Sequence, residues 1–155
     1  DRKGLLNGVL TDKLDMIATD HAPHTVEEKS AAYLKCPSGA PMIQHSLQIM
    51  MELVRKGQIS MEKLVEKMCH APAIVFGIEK RGFIREGYYA DLVIVDPETI
   101  TEVTPDNLHY KCKWSPLEGE LLHSAITHTF VNGELAWCHG VFNEQRSAMK
   151  LKFNR

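Results

Sequence analysis

The sequence lacks the features that mark several large classes of protein. Its most apolar stretches, such as 92–95, fall far short of the ~18 consecutive apolar residues that a membrane-spanning helix needs. Basic residues are not in excess, since 18 lysines and arginines stand against 20 aspartates and glutamates, whereas a nucleic-acid binder usually carries a broad basic field. The glycine-rich phosphate-binding motifs and the G-x-S-x-G motif of serine hydrolases are also missing. We therefore expect no membrane span and no nucleic-acid partner.

Disulfide and zinc-knuckle frameworks are missing as well. The four cysteines are scattered along the chain without any C-x-x-C pair. Residues 1–4 have none of the apolar character of a secretory leader. These observations predict reduced thiols and a cytoplasmic protein.

What is present is an ordinary globular composition in a chain of modest length. Hydrophobic residues make up 44% and charged residues 25%, which is typical of a folded domain. A length of 155 residues fits one domain or parts of two, whereas a complete (β/α)8 barrel needs about 250. The chain also begins without a methionine.

Apolar periodicity predicts helices and one buried strand in the first half of the chain. Residues 5–10 have helical spacing, and the short apolar run at 16–19 is typical of a buried strand. A helix is predicted to start near Pro41 and to end at Gly57, and Ser60 should cap the next one. Pro72 should force a new start for a short segment that ends at Phe76.

After Gly77 the pattern changes to short strands separated by glycines. Asn132-Gly133 is a strong hairpin signal. The stretch from Thr99 to Ser124 contains two prolines and a glycine and is interpreted as a long surface excursion. The chain is therefore divided near Gly77 into an α/β part and a β part. The predicted strands are 83–84, 92–95, 126–131 and 134–137.

Asp20 is the leading candidate for chemistry. It follows the predicted strand, and two histidines, His21 and His24, come directly after it. Functional residues of barrel enzymes lie at the carboxyl ends of strands, where a carboxylate can bind a divalent metal or act as a base beside one. The alternative is a loop cap that accepts backbone N–H groups. Pro23 stiffens the turn between the histidines, and we assign function to His24 and a structural role near backbone to His21.

Three other groups of residues have simpler interpretations. Ser38 and Gly39 offer backbone N–H groups before the predicted helix, where an amide or carboxylate can bind, although such glycines are also common in plain loops. The charged run 27–29 is expected to be a solvated face. His128 and His139 have no carboxylate or cysteine partner at ligand spacing, which leaves Asp20 as the metal ligand that the sequence offers.

Several motifs resemble one enzyme family. Residues 16–29, with D-H-A-P-H at 20–24, resemble the last-barrel-strand motif of dihydroorotases in the amidohydrolase superfamily. The segment G-x-x-A-D-L-V-I-V-D at 87–96 resembles the strand with which these enzymes resume a composite β-sandwich. V-N-G at 131–133 resembles the hairpin near their C-terminus. The similarity covers nearly the whole chain.

The resemblance implies an α/β fold that is the C-terminal part of a TIM-barrel metal-dependent hydrolase. Residues 1–76 would supply the last barrel strand and its following helices, and residues 77–155 the C-terminal strands of the β-sandwich and a tail. The H-x-H pair, the other metal ligands and the arginine and asparagine that hold the substrate carboxylate would precede Asp1. The N-terminal remainder of the enzyme is thus the expected partner, and a homodimer is compatible with this interpretation.

The activity implied by the resemblance is reversible hydrolysis of dihydroorotate to N-carbamoyl-aspartate with one or two zinc ions. Asp20 would contact a zinc, take a proton from the attacking hydroxide and pass it to the leaving nitrogen. His24 would bind the substrate carboxylate, and the backbone at Ser38 and Gly39 would meet the polar edge of the ring. With Asp20 as its one ligand, the chain alone should be inactive and should not hold zinc tightly.

Two other classes stay open. A hydantoinase (dihydropyrimidinase) or an allantoinase would share Asp20 but replace the role of His24. A non-catalytic dihydroorotase-like subunit would instead serve as a scaffold, for example for a transcarbamoylase. An H-x-H pair upstream of Asp1 would separate an enzyme from a scaffold.

Overall fold

Helices occupy the first half of the structure and strands the second. The computed structural model describes residues 1–144 and 148–154, and the predicted tail residues 145–147 and 155 lie outside this range. No helix in the described part is long and apolar enough to cross a membrane. The helices are α1 (Arg2–Leu10), α2 (Val26–Lys29), α3 (Ser46–Arg55), α4 (Met61–Val65) and α5 (Ala71–Val75). The strands are β1 (Leu92–Asp96), β2 (Thr101–Glu102), β3 (Leu121–Leu122), β4 (Ala125–Val131), β5 (Glu134–Cys138) and β6 (Val141–Phe142).

The helices α3 and α4 pack around an apolar cluster of Met51, Ile59 and Leu64. Ser60 caps α4 as predicted, because its hydroxyl accepts the backbone N–H of Lys63 at 3.1 Å. The predicted start of α3 near Pro41 is wrong, since α3 begins at Ser46.

Tertiary hydrogen bonds explain the late start of α3. The backbone N–H groups of Met42 and Ile43 donate to the ring of His21, and that of Gln44 donates to the hydroxyl of Tyr110. These contacts hold residues 42–44 as a loop, so tertiary structure overrides the local helix signal at Pro41.

A π-helical turn, Glu66–His70, joins α4 to α5. The predicted short segment after Pro72 is therefore present as α5 but is not separated from the helix before it. Proline has no N–H and its ring clashes with the carbonyl four residues earlier in a regular α-helix. A π turn widens the helix, with the N–H of Ala71 bonded to the carbonyl of Glu66, and this accommodates Pro72 without a break.

The main sheet has four antiparallel strands in the order β1-β4-β5-β6. The hairpin predicted at Asn132-Gly133 is confirmed, since both residues have positive φ, 54° and 88°, which a type I′ turn requires. Asp91 fixes its tip by accepting the N–H of Asn132 at 2.8 Å. Arg81 joins the same cluster through an ion pair with Asp91 and a 2.6 Å bond to the Asn132 side chain. The predicted strands 92–95, 126–131 and 134–137 are all present in the sheet.

Two predicted strands are absent from the described part of the chain. Residues 16–19 have no ladder partner among the described residues, and Ile17 instead donates its N–H to the carbonyl of Lys67 at 3.0 Å. Residues 83–84 are irregular because Phe83 stacks on the ring of His70, with centroids 4.3 Å apart, and the guanidinium of Arg85 lies over the Phe83 ring. An apolar run becomes a strand only when a neighbouring strand completes its hydrogen bonds.

The segment 99–124 is not the surface excursion predicted from its prolines. The two short strands β2 and β3 pair with each other, and the residues around them form a second buried cluster. Its members are Val103, Leu108, Tyr110 and Leu122, all less than 7% exposed.

A polar stripe on α3 and the loop before it docks against this segment. Gln44 bonds to the backbone of Asn107 and His109. Gln48, 4% exposed, donates to the carbonyl of Ser124 at 2.7 Å. Glu52 accepts the backbone N–H of His123 at 2.6 Å. The polar face of α3 is therefore an internal face that satisfies backbone groups of segment 99–124.

Glu52 should make stability depend on acidity. Burial raises its pKa, but hydrogen bonds from Arg55 and from the backbone and ring of His123 outweigh burial and lower the pKa to about 2. A carboxylate with a depressed pKa stabilises the fold fully above its unfolded pKa, ~4.3, and loses this contribution as the pH falls through the folded value. We expect the temperature midpoint of unfolding to decrease as the pH is lowered from about 4.5 to 2. The decrease should be smaller in Glu52→Gln than in the wild type. Glu98→Gln, on an exposed loop, is the control, and parallel curves for all three proteins would contradict the assignment.

Candidate functional site

Asp20 lies on an exposed loop, and Lys67 holds the chain segment that precedes this loop. The ammonium of Lys67, 3% exposed, donates to the carbonyls of Leu14 and Asp15 at 2.8 and 3.2 Å and pairs with Asp12. Asp20 itself has φ of +46°, a left-handed conformation that aspartate adopts more readily than most residues. Such strained positions are enriched at functional sites.

His21 has the structural role predicted for it. Its Nδ1 accepts the backbone N–H groups of Met42 and Ile43 at 3.0 and 3.3 Å. An accepting Nδ1 leaves the ring proton on Nε2. The ring also lies 5.3 Å from that of Tyr110. His21 thereby ties the Asp20 loop to the loop before α3.

The structure brings the two predicted site segments side by side. Ala22 donates its N–H to the carbonyl of Ala40 at 3.0 Å, and His21 and Ala40 form a parallel bridge. Gly39 has φ of +93°, and a Cβ on it would lie 2.6 Å from the Cβ of Ala22. Glycine is thus required at position 39 by both conformation and space. Ser38 is exposed beside it.

The charged run 27–29 is not simply a solvated face. Lys29, half-buried, donates to the carbonyls of Pro37 and Gly39 at 2.7 and 3.1 Å. Glu28 forms a capping box with Thr25 at the start of α2. The solvated-face interpretation fails because Lys29 binds backbone carbonyls of a nearby loop. The local sequence pattern around Lys29 does not indicate these partners.

His24 is held from two sides. Its Nδ1 lies 3.5 Å from Oε2 of Glu28, and its side chain is 33% exposed. Its backbone carbonyl accepts the indole N–H of Trp114 at 2.7 Å. The interpretation of 99–124 as a surface excursion missed Trp114, which stands between Lys113 and Ser115 without a local apolar pattern.

Asp20 belongs to no group of three metal-ligating side chains within residues 1–144 and 148–154. A catalytic zinc normally has three protein ligands and an open position. Asp20 can therefore supply one ligand of such a centre but not the whole of it. The group of ligands that the described residues do form is His128, Cys138 and His139, so the prediction that these histidines have no cysteine partner is wrong.

A cavity of about 490 Å³ lies away from the Asp20 loop, between α3, segment 99–124 and the sheet. Its described lining includes His45, Gln48, His109 and Trp137 and none of the four predicted site residues. Burial lowers the pKa of His45, and the proximity of His109 lowers it further. The lining of the cavity is largely apolar, and the candidate site is the open loop pair around Asp20.

The chain belongs to the amidohydrolase family, whose family model matches residues 2–136. Members of this family are generally metal-dependent. Among curated relatives, the dihydroorotase of Halobacterium salinarum is 38% identical over 137 residues, which are 88% of this chain and 32% of that protein. The dihydroorotase of Clostridioides difficile is 38% identical over 138 residues, with the same two coverages. The chain spans about a third of the length of these relatives.

Solved structures show the same α/β fold. The L-hydantoinase (dihydropyrimidinase) from Arthrobacter aurescens has a TM-score of 0.84 and 32% identity, covering 90% of this chain and 32% of that one. The D-hydantoinase (dihydropyrimidinase) from Thermus sp. has a TM-score of 0.87 at 24% identity, covering 95% and 33%. The fold is therefore that of part of an α/β amidohydrolase, and the chain is similar to cyclic amidohydrolases.

Proposed function

We propose that this chain is the C-terminal part of a zinc-dependent dihydroorotase, which converts (S)-dihydroorotate reversibly to N-carbamoyl-L-aspartate in pyrimidine synthesis. The observation that carries the proposal is the pairing of two loops, with Asp20 and His24 on one and Ser38 and Gly39 on the other. The similarity to proteins named dihydroorotase, at 38% identity over most of this chain, supports it.

The Asp20 loop suits zinc, with the Asp20 carboxylate as one ligand of a shared site. The carboxylate is exposed at the end of a segment held by buried Lys67, and carboxylate oxygen is a usual zinc ligand. The remaining ligands of one or two zinc ions would come from the N-terminal part of the enzyme. When bound, zinc lowers the pKa of its water to ~7 and polarises the amide carbonyl.

Asp20 is proposed to carry the proton through the reaction. Its carboxylate accepts the proton of the attacking water and then donates it to the ring nitrogen that leaves as the C–N bond of the cyclic amide breaks. The hydrogen bond from Lys67 to the carbonyl of Leu14 and the bridge between His21 and Ala40 hold the loop in place. A fixed position is what a proton carrier needs, since both transfers occur over hydrogen-bond distance.

His24 is proposed to bind the substrate carboxylate. A ring N–H of His24 can donate to a carboxylate of the substrate, and Glu28 Oε2, 3.5 Å from Nδ1, lies beside the ring. The same Glu28 oxygen accepts the N–H of Thr25 at 2.7 Å. Glu28 is therefore a positioning residue for His24.

The loop at Ser38 and Gly39 is proposed to meet the polar edge of the substrate ring. Lys29 holds this loop by binding the carbonyls of Pro37 and Gly39. With these carbonyls engaged, the exposed backbone at Ser38 can turn its N–H toward a substrate carbonyl.

The domain division, the partners and the location of the enzyme follow from the same proposal. Residues 1–76 would end the barrel, and residues 77–155 would be sandwich strands and tail. The N-terminal remainder of the enzyme would complete the active site, a homodimer is compatible with this arrangement, and the cytoplasm is the proposed location.

Substrate preference tests the proposal. The complete protein should have a higher kcat/KM for dihydroorotate than for hydantoin, dihydrouracil or allantoin, each assayed by ring opening with zinc present. A preference for hydantoin or dihydrouracil would support the second candidate, a hydantoinase, which the 32% identity to the Arthrobacter aurescens enzyme favours. Absence of turnover on every substrate, in a folded zinc-loaded protein, would favour the scaffold.

A further inference from the structure

The sheet carries a second group of metal-ligating side chains on elements that the proposed reaction does not use. His128 on β4, Cys138 at the end of β5 and His139 in the following turn each direct one ligand atom toward the others. These three atoms all lie within 4.8 Å of one another. We propose that they form a zinc-binding site that clips β4 to the turn between β5 and β6.

The register of the sheet brings His128 and Cys138 together. They are directly opposite each other across the antiparallel pair β4 and β5. Residues opposite each other project their side chains from the same face, with Cβ atoms about 5 Å apart. The imidazole and the thiol are therefore neighbours by backbone geometry alone.

The left-handed backbone conformation of His139 places it near the other two ligands. Neighbouring residues of a strand alternate faces, so His139 in a continued strand would point away from Cys138. Instead His139 and Gly140 have φ of 44° and 92° and form the two-residue turn before Val141, which pairs with Cys138. The N–H of His139 donates to the carbonyl of Thr127 at 2.9 Å, and its ring lies 5.0 Å from that of His128.

The geometry suits a tetrahedral ion. Two imidazoles on one zinc, with Zn–N near 2.0 Å, have ring centroids about 5 Å apart, and the rings of His128 and His139 have this spacing at an interplanar angle of 80°. Tetrahedral zinc holds nitrogen and sulfur ligands about 3.5 Å apart. Closing the group from 4.8 Å is within reach of side-chain rotation, because His139 is exposed.

A supporting hydrogen bond selects the nitrogen of His128 that would bind the ion. The hydroxyl of Thr127 donates to the carbonyl of Ile94 at 3.2 Å and lies 3.1 Å from Nδ1 of His128. With its proton directed to Ile94, this hydroxyl accepts from Nδ1–H, which leaves the Nε2 lone pair for the metal. Metal-binding histidines usually have such a partner on the other nitrogen.

One thiolate and two imidazoles favour zinc. Thiolate ligands select zinc or copper(I), and imidazole suits zinc, copper, iron and nickel. The exposed turn leaves a fourth position for water, so the site belongs to the class with three protein ligands. No residue of the Asp20 loop takes part, and the proposal therefore stands apart from the proposed enzymatic function. It departs from the expectation that the chain alone does not hold zinc tightly, because that expectation counted Asp20 as the one ligand of the chain.

Metal analysis of the complete protein tests the site. After loading with zinc and dialysis, the wild type should retain one more zinc per chain than Cys138→Ser, while Cys69→Ala, which removes an exposed thiol outside the site, should match the wild type. Loaded with cobalt(II), the wild type should show a thiolate-to-metal charge-transfer band in the near ultraviolet that Cys138→Ser lacks. Equal zinc content and equal spectra in the wild type and Cys138→Ser would overturn the proposal.

Two milder variants test the geometry in folded protein. Thr127→Val should weaken zinc binding at this site by ~10- to 100-fold, the usual effect of losing a supporting partner. His139→Asn retains a residue that tolerates the left-handed turn and should abolish the extra zinc. Full zinc retention by His139→Asn, or uptake of copper(I) without zinc by the wild type, would overturn the assignment.

Discussion

Asp20→Asn in the complete enzyme should lower kcat for dihydroorotate by at least the ~10²- to 10⁴-fold that general acid–base help contributes. The substitution keeps the shape of the side chain and the left-handed backbone, which asparagine also tolerates. It removes the proposed proton carrier and weakens a proposed metal ligand. The measurement is a single-turnover rate at saturating dihydroorotate, together with the zinc content of each protein.

Asp15→Asn is the matched control. Asp15 is an exposed aspartate five positions earlier in the same segment, and its backbone carbonyl accepts a hydrogen bond from Lys67. Its substitution should leave kcat within a factor of about two, as surface changes are usually worth under 0.5 kcal/mol. Near-normal turnover in Asp20→Asn would reduce Asp20 to a loop cap.

Local signals predicted the parts of the fold that local chemistry decides. The Asn132-Gly133 turn follows from two residues that tolerate positive φ, and the Ser60 cap follows from a hydroxyl at a helix start. Segment 99–124 was misjudged because its strands β2 and β3 are two residues long and show no period. Its packing depends on contacts across the fold, in which the Tyr110 hydroxyl accepts the N–H of Gln44 and Gln48 donates to the carbonyl of Ser124.

The site was predictable in part for the same reason. The D-H-A-P-H motif made Asp20 and His24 candidates by resemblance, and Gly39 was a candidate because it precedes a predicted helix; their roles stay predictions. Lys29 and Trp114 were missed because each acts on a distant carbonyl, of Gly39 and of His24. The group of Cys138 and its two histidines was missed because strand alternation places neighbouring side chains on opposite faces, and the positive φ of His139 reverses that rule.

His24→Ala should separate a dihydroorotase from its relatives by its effect on two substrates. Dihydroorotate carries a carboxylate that dihydrouracil lacks, so a histidine that binds it matters only for the first. A hydrogen bond to a charged group contributes about 1.5 to 3 kcal/mol, and each 1.4 kcal/mol is tenfold, so kcat/KM for dihydroorotate should fall by roughly 10- to 150-fold. The slower reaction of dihydrouracil should change little.

The ratio of wild-type to variant kcat/KM, measured for dihydroorotate and for dihydrouracil, discriminates between the roles open to His24. Glu28→Gln should follow the same pattern with a smaller loss, because it removes the carboxylate 3.5 Å from Nδ1 but leaves the ring. His70→Ala, which removes a ring stacked on Phe83, is the control and should affect neither ratio. Equal losses on both substrates in His24→Ala would assign His24 to the reaction centre or to the fold. Small losses on both would make it a solvated loop residue after Pro23, since a bound carboxylate cannot lose its donor without a cost in affinity.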